Sequence, residues 1–104
     1  AHSLELDDLH RSSIFRPGSP IIPAALAAAE KVGASGKDLI TAIVVGYESG
    51  IRIAEALTPS HHNFWHTTGT CGTFAAAIAA GKVMNLNEAQ LIDALGHAGT
   101  QAAG

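Results

Sequence analysis

The sequence of 104 residues has a single cysteine, Cys71, and no excess of basic side chains. One cysteine cannot form an internal disulfide and fits a reducing compartment, so we expect a cytoplasmic protein. Six Lys and Arg against nine Asp and Glu give a formal net charge of -3, which argues against nucleic-acid binding. The apolar runs are too short and too closely flanked by charge to span a bilayer, so no membrane association is expected.

Aromatic residues are also scarce, at 5%, whereas hydrophobic residues reach 47% and many of them are alanine. This composition is typical of a globular protein, and small side chains favour closely packed helices. No stretch alternates apolar and polar residues with period two, so no strand is predicted. We therefore predict an all-α fold, an antiparallel multi-helix bundle with short connections.

Apolar spacing, together with start and stop residues, predicts four helices. They cover residues 20–32, 36–57, 69–84 and 88–98. Ser35 with Asp38 and Asn87 with Gln90 are the predicted N-terminal caps, and Gly33 is a natural helix stop. Residues 1–10 carry a weak helical pattern, whereas residues 11–19 and 58–68 are predicted to be loops.

The longest predicted helix, residues 36–57, has apolar side chains three and four positions apart, which predicts one buried stripe. The stripe comprises Leu39, Ile40, Ile43, Val44, Tyr47, Ile51, Ala54 and Leu57. Gly46 and Gly50, four apart beside it, would let another helix approach closely. This helix and helix 69–84 are apolar on more than one side, which predicts cover by a larger helical body or a dimer.

Three polar clusters are candidate sites, because connecting segments often carry function on a rigid scaffold. They consist of Glu5, Asp7, Asp8 and His10; of Arg11, Ser12, Ser13 and Arg16; and of His61, His62, His66, Thr67, Thr68 and Thr70. One carboxylate of the first cluster could handle protons, with His10 as the side chain best matched to proton transfer near neutral pH. The alternative is a solvated segment with a hydrogen-bonded surface histidine.

The stretch HTTGTCGT resembles an anion-binding turn at a helix start. Its hydroxyls and free backbone N–H groups could face a carboxylate, and His66 could add a donor. The simpler alternative is a loop that caps the helix. The histidines here do not follow a zinc spacing, so no metal or other cofactor is predicted. Cys71 is predicted to be a buried small thiol rather than a nucleophile.

Five blocks in this order together resemble the MmgE/PrpD family. They are AHSLELDD with LHRSS, RPGSPIIPAALAAAE, GASGKDLITAIVVGYESGIRIAEAL, WHTTGTCGTFAAAIAAGK and LIDALGHAGTQAAG. The family includes 2-methylcitrate dehydratase, cis-aconitate decarboxylase and iminodisuccinate epimerase, and the wording here is most similar to the epimerase branch. The resemblance implies a large helical domain with a smaller α/β lid, usually in homodimers, so residues 1–104 would form part of the helical domain without the lid.

The resemblance also implies chemistry without metal or nucleotide, in which a proton moves at a carbon next to a carboxylate of a small di- or tricarboxylate. By position, Glu5 corresponds to the acidic site residue of the family, and Arg16 stands where a histidine is usual. Asp8 and His10 complete the predicted catalytic set. The predicted substrate contacts are Arg16, His66, Thr68, Gly69 and Thr70. The catalytic lysine of the family would lie beyond Gly104.

Two hypotheses remain at this stage. The first is an enzyme of this family, a dehydratase, decarboxylase or epimerase, of which this chain is a fragment that is inactive alone. The second is a truncated or degenerate helical module that serves packing or partner binding, motivated by Arg16 in place of the usual histidine. Arginine cannot act as a base near neutral pH, although it can clamp a carboxylate.

Overall fold

The computed structural model describes residues 2–57 and 59–104, and its order of elements is entirely helical. A 3-10 turn at His2–Leu4 precedes the five α-helices. They are α1 (Gly18–Val32), α2 (Gly36–Ala56), α3 (Pro59–Phe64), α4 (Thr67–Val83) and α5 (Glu88–Gln101). The described residues contain no strand, only an isolated bridge between His10 and Phe15. The predicted all-α bundle is confirmed.

Local signals set three of the helix ends as the sequence predicted. The Ser35 hydroxyl accepts the Asp38 N–H at 3.1 Å at the start of α2. Asn87 and Gln90 form a reciprocal capping box at the start of α5. Gly33 ends α1 with a left-handed φ of 66°, a conformation that costs glycine little.

The centre of the bundle is α4, which packs against α1, α2 and α5. Its buried residues lie on more than one side of the helix, as predicted, and include the polar Thr67 and Thr68 at its start. Cys71 is also fully buried, and burial raises the pKa of its thiol to about 11. The thiol therefore stays protonated at neutral pH, in agreement with its predicted role as a small core residue.

The buried face of α2 differs from the prediction. The residues that are buried repeat every four positions and are small: Ala42, Gly46, Gly50 and Ala54. A Cβ on Gly50 would stand 2.7 Å from the Ala75 Cβ on α4. The glycines thus let the two backbones approach closely, as predicted, whereas Ile40 and Val44 of the expected stripe are 65% and 61% exposed.

Two predicted segments also differ. Residues 59–64 of the expected loop form the short helix α3, and α4 begins at Thr67, two residues earlier than predicted. The weak helical pattern of residues 1–10 yields only the 3-10 turn, after which the chain runs irregularly to Pro17. Ala1 and Thr58, which fall in these two predicted segments, lie outside the described residues.

Candidate active site

Arg16, the second residue before α1, joins the N-terminal segment to the helical body. Its guanidinium donates from Nη1 to Asp7 Oδ1 at 2.8 Å and from Nη2 to Glu5 Oε2 at 3.1 Å. Its backbone N–H donates to the Thr68 hydroxyl, 3.1 Å away at the start of α4. Two predicted site residues, Glu5 and Thr68, are therefore both hydrogen-bonded to a third, Arg16. With Asp7 and His2 we call them the Arg16 cluster.

Asp7 is the buried member of this cluster, with a side chain only 3% exposed. Its second oxygen, Oδ2, accepts a hydrogen bond from His2 Nδ1 at 2.6 Å. The bond from His2 holds the pKa of the Asp7 carboxyl below its usual value, and the Arg16 guanidinium acts in the same direction. In turn, the hydrogen bond to Asp7 raises the pKa of Arg16. Both groups are therefore charged near neutral pH.

A turn at the start of the chain brings His2 to Asp7. The Glu5 N–H donates to the His2 carbonyl at 3.1 Å, and Glu5 itself has a left-handed φ of 56°. Such a conformation is uncommon for a residue other than glycine and is often found at functional sites. The result is that the Glu5 carboxylate, 74% exposed, reaches Arg16 from the solvent side while Asp7 lies beneath.

The His2 ring also faces His66, with ring centroids 5.4 Å apart and planes inclined at 35°. His66 is the cap residue before α4, but its side chain makes no capping bond. Both rings line an open cavity of about 470 Å³ together with Ser19, Thr68 and Gly69. We call it the His2–His66 groove. It lies at the start of α4, where backbone N–H groups favour an anion.

A second cavity, of about 890 Å³, shares His2 and Ser19 with this groove and extends between α1 and the middle of α2. Asp8 and Tyr47 line it. Asp8 Oδ1 accepts the Gly18 N–H at 3.0 Å, and Oδ2 accepts the Tyr47 hydroxyl at 2.7 Å. Burial, and then this hydrogen bond, raise the pKa of Tyr47 to about 12. Asp8 therefore anchors the segment to both helices.

Two predicted site residues line neither cavity, although the Thr70 N–H and hydroxyl both donate to the His66 carbonyl, at 3.1 and 3.4 Å. His10 Nδ1 shares a hydrogen bond with the Ser13 hydroxyl at 2.7 Å, and its Nε2 is 3.8 Å from Glu55 Oε1. The Thr70 hydroxyl pairs with His61 Nε2 at 3.1 Å. In the described part of the chain, neither His10 nor Thr70 bonds to the Arg16 cluster or lines the two cavities.

The structure thus brings together Glu5, Arg16, His66, Thr68 and Gly69 and sets Asp8 beside them. His2 has no role in the prediction from the sequence, and Asp7 enters it only as a member of an acidic cluster. The adjacent Asp7 and Asp8 did indicate that one carboxylate could turn inward. Neighbouring side chains in an extended segment point to opposite sides. The partner of the inward carboxylate could not be read from the chain.

Groups of three or more metal-ligating side chains do not occur among the described residues. Within the same residues, none of the helices is both long enough and apolar enough to cross a membrane.

Comparison with known proteins matches residues 1–104 to the MmgE/PrpD N-terminal domain. The chain is 41% identical to cis-aconitate decarboxylase of Aspergillus terreus, over 96% of this chain and 22% of that protein. It is 36% identical to the cis-aconitate decarboxylase-like protein oryM of Aspergillus oryzae, over 98% of this chain and 23% of that protein. The chain therefore spans less than a quarter of the length of these curated relatives. The assignment to the epimerase branch stays a prediction. With its whole length matched by the family's N-terminal domain, the chain belongs to the MmgE/PrpD family.

Proposed function

We propose that this chain is part of the helical domain of a longer enzyme that acts on a small di- or tricarboxylate. The reaction moves a proton at a carbon next to a carboxylate, without metal or nucleotide cofactor. The names of the two relatives make decarboxylation of cis-aconitate the first activity to assay, with dehydration and epimerisation as the other reactions of the class. We further propose that the enzyme is a cytoplasmic homodimer, with the lid domain supplied by the rest of the chain.

The observation that carries the proposal is the meeting of Glu5, Arg16 and Thr68 beside the His2–His66 groove in a chain of this family. Removing a proton from a carbon next to a carboxylate requires a base near that carbon. It also requires positive groups or N–H donors where negative charge develops. The groove supplies two histidines, a buried hydroxyl and the start of α4. These are the groups that such a substrate requires.

Arg16 could bind a substrate carboxylate in place of Glu5, the more weakly held of its two carboxylate partners. Its bond to the buried Asp7 is fixed, whereas Glu5 is mostly exposed and its bond is longer, at 3.1 Å. Exposed ion pairs contribute little free energy, so a substrate carboxylate can replace Glu5 at Nη2 at low cost. We propose Arg16, His66, Thr68 and Gly69 as the substrate-binding side, with the displaced Glu5 carboxylate close to the bound substrate.

The remaining predicted residues take different places in the proposal. Asp8, bonded to Gly18 and Tyr47, holds the segment in register and supports the site. Catalysis by His10 and substrate contact by Thr70 stay predictions, since both need a rearrangement or a further part of the protein to reach the groove.

The test uses the full-length protein with cis-aconitate and a panel of saturated and unsaturated di- and tricarboxylates in D2O, followed by NMR. We expect turnover, with deuterium incorporated at the carbon next to a carboxylate, and the same rate after treatment with EDTA. The isolated 104 residues should show no turnover. Absence of both turnover and exchange with every substrate, or complete loss of activity with EDTA, would contradict the proposal.

The second candidate function is a helical module without catalysis. It is favoured by one observation, that Arg16 binds two carboxylates of its own chain, at the position where the sequence resemblance implies a histidine. A full-length protein that folds, dimerises and shows no exchange would support this alternative.

A further inference from the structure

We propose that His2 is the proton-transfer residue of this site and that the buried Asp7 positions it. The inference rests on the proposed function and goes beyond it, because it names the group that exchanges the proton with the substrate carbon. Its basis is the contact between one ring nitrogen of His2 and Asp7, together with the location of the ring at the junction of the two cavities.

The Asp7 contact sets which nitrogen of the neutral His2 ring carries the hydrogen. An ionised carboxylate can only accept, so His2 Nδ1 carries the hydrogen of the 2.6 Å bond. Nε2 is then the basic nitrogen, and it takes no hydrogen bond from any described residue. A histidine oriented through one nitrogen by a carboxylate, with the other nitrogen free, is the arrangement of a general base.

The location of the ring gives Nε2 access to a substrate. The His2 side chain is 42% exposed. It lines the His2–His66 groove together with Thr68 and Gly69, and it also lines the larger cavity beside Asp8 and Tyr47. An anion held at the start of α4 would therefore lie next to His2.

The other histidines lack the combination of a buried carboxylate partner and a ring that lines the groove. His10 approaches Glu55 only at 3.8 Å, and the Glu55 side chain is 53% exposed. His61 and His62 contact threonine hydroxyls. His66 contacts the His2 ring, with no carboxylate partner among the described residues. Among the described histidines, only His2 combines a buried carboxylate with a ring face in the groove.

Nε2 of His2 takes the proton from the substrate carbon, so the C–H bond breaks and an N–H bond forms. The electron pair stays on the carbon and is delocalised into the adjacent carboxylate, whose charge is met by donors at the start of α4. In epimerisation, protonated His2 exchanges with solvent and returns a proton to the carbon. In dehydration, the electron pair forms the double bond as the C–O bond breaks, and the proton goes to the departing hydroxide, which leaves as water. In decarboxylation no proton is removed first: the C–C bond to the leaving carbon dioxide breaks, its electron pair stays on the substrate, and protonated His2 donates a proton to the substrate carbon and regains one from solvent.

The test compares three variants of the full-length protein: His2→Gln, Asp7→Asn and, as a matched control, His97→Gln. His97 is an exposed residue of α5. We expect His2→Gln to lower kcat for turnover and for solvent deuterium exchange by about 10²- to 10⁴-fold, the usual contribution of general acid–base catalysis, with KM changed far less. His97→Gln should retain the wild-type kcat and KM.

Asp7→Asn gives the readout that a purely structural role would not move. Asparagine keeps an oxygen for His2 Nδ1–H but removes the charge that stabilises the imidazolium. The acid limb of the kcat profile should therefore move to lower pH, while circular dichroism stays unchanged. If His2→Gln fails to fold, His2→Asn and this pH profile decide the point.

The outcomes separate the two proposals. A wild-type protein without turnover or exchange contradicts the proposed function itself. An active wild type whose His2→Gln variant retains half or more of kcat overturns the role of His2 alone. An active Asp7→Asn variant whose pH profile coincides with that of the wild type overturns the positioning role of Asp7.

Discussion

Two regions of the molecule are held together by different interactions. One is the contact between helices α2 and α4, and the other is the Arg16 cluster. At the helix contact, Gly46 and Gly50 let backbones approach so closely that an added Cβ would stand 2.7–3.0 Å from α1, α4 or the Phe15 ring. The Arg16 cluster is instead held by charged hydrogen bonds in an irregular segment, with Glu5 open to solvent. The difference predicts that changes in the first region remove the fold, whereas changes in the second remove activity.

The largest effect is expected for Gly50→Val. Its Cβ would stand 2.7 Å from the Ala75 Cβ and 3.0 Å from the Phe15 ring, and the γ-methyl groups would add to the crowding. Overpacking at a fixed backbone contact should cost on the order of 3 kcal/mol of unfolding free energy. Urea and thermal unfolding of the full-length protein measure this loss.

The matched control is Gly96→Ala on α5, where an added Cβ meets nothing within 4 Å. Alanine in an exposed helical position should raise the unfolding free energy by about 0.5–1 kcal/mol. Equal effects of the two substitutions would show that the close approach of α2 and α4 is not what limits stability.

Arg16→His is expected to have the next largest effect, on activity. The shorter side chain cannot reach both Asp7 and Glu5, so the buried carboxylate loses its cationic partner. We expect kcat/KM to fall by about tenfold or more, a loss of about 1.4 kcal/mol in transition-state binding. A rise in kcat/KM would instead support the view that this chain is a degenerate copy of an enzyme with histidine here.

Ser35→Ala tests whether stability and activity can be changed separately, because Ser35 caps α2 and lies outside the Arg16 cluster. Loss of the hydroxyl that accepts the Asp38 N–H should cost about 1 kcal/mol of stability. Since Ser35 has no hydrogen bond to the cluster, kcat and KM should keep their wild-type values. A marked change in KM at full folding would show that the two regions are coupled.

Tyr47→Phe is expected to have the smallest effect, and it sharpens the comparison because Tyr47 joins α2 to Asp8. Its pKa is raised to about 12, so the folded state keeps a proton that the unfolded state loses near pH 10. The stability from this proton is complete below about pH 10 and is lost as the pH rises towards about 12. Removing the hydroxyl should flatten the fall in unfolding free energy over this range, as urea titrations would measure.

The helices could be predicted from the sequence because their signals are local. Ser35 and Asn87 cap the helices that they were expected to cap, and Gly33 stops α1. α3 could not be predicted in this way, because six mostly polar residues contain no apolar period. The prediction of the buried face of α2 was wrong for another reason. Glycine and alanine, rather than the larger Ile40 and Val44, allow the closest contact with α4.

The site could be predicted only in part. The residue types of Glu5, Arg16, His66 and Thr68 indicated carboxylate chemistry, but their meeting depends on a contact between residues 52 positions apart. Which of the two adjacent acids turns inward depends on the turn at Glu5. This residue has a left-handed φ, which the sequence could not indicate because the residue is not glycine. The partnership of His2 with Asp7 follows from that turn and was not visible in the chain.

The central claim is that a small carboxylate binds beside His2 and His66. It is tested most directly by NMR of the full-length protein with 13C-labelled histidine, titrated with tricarballylate, a saturated tricarboxylate. The account predicts that the ring signals of His2 and His66 shift with saturation, while those of His10 and His97 stay fixed. Shifts confined to His10, His61 and His62, with His2 and His66 unmoved at saturation, would contradict it.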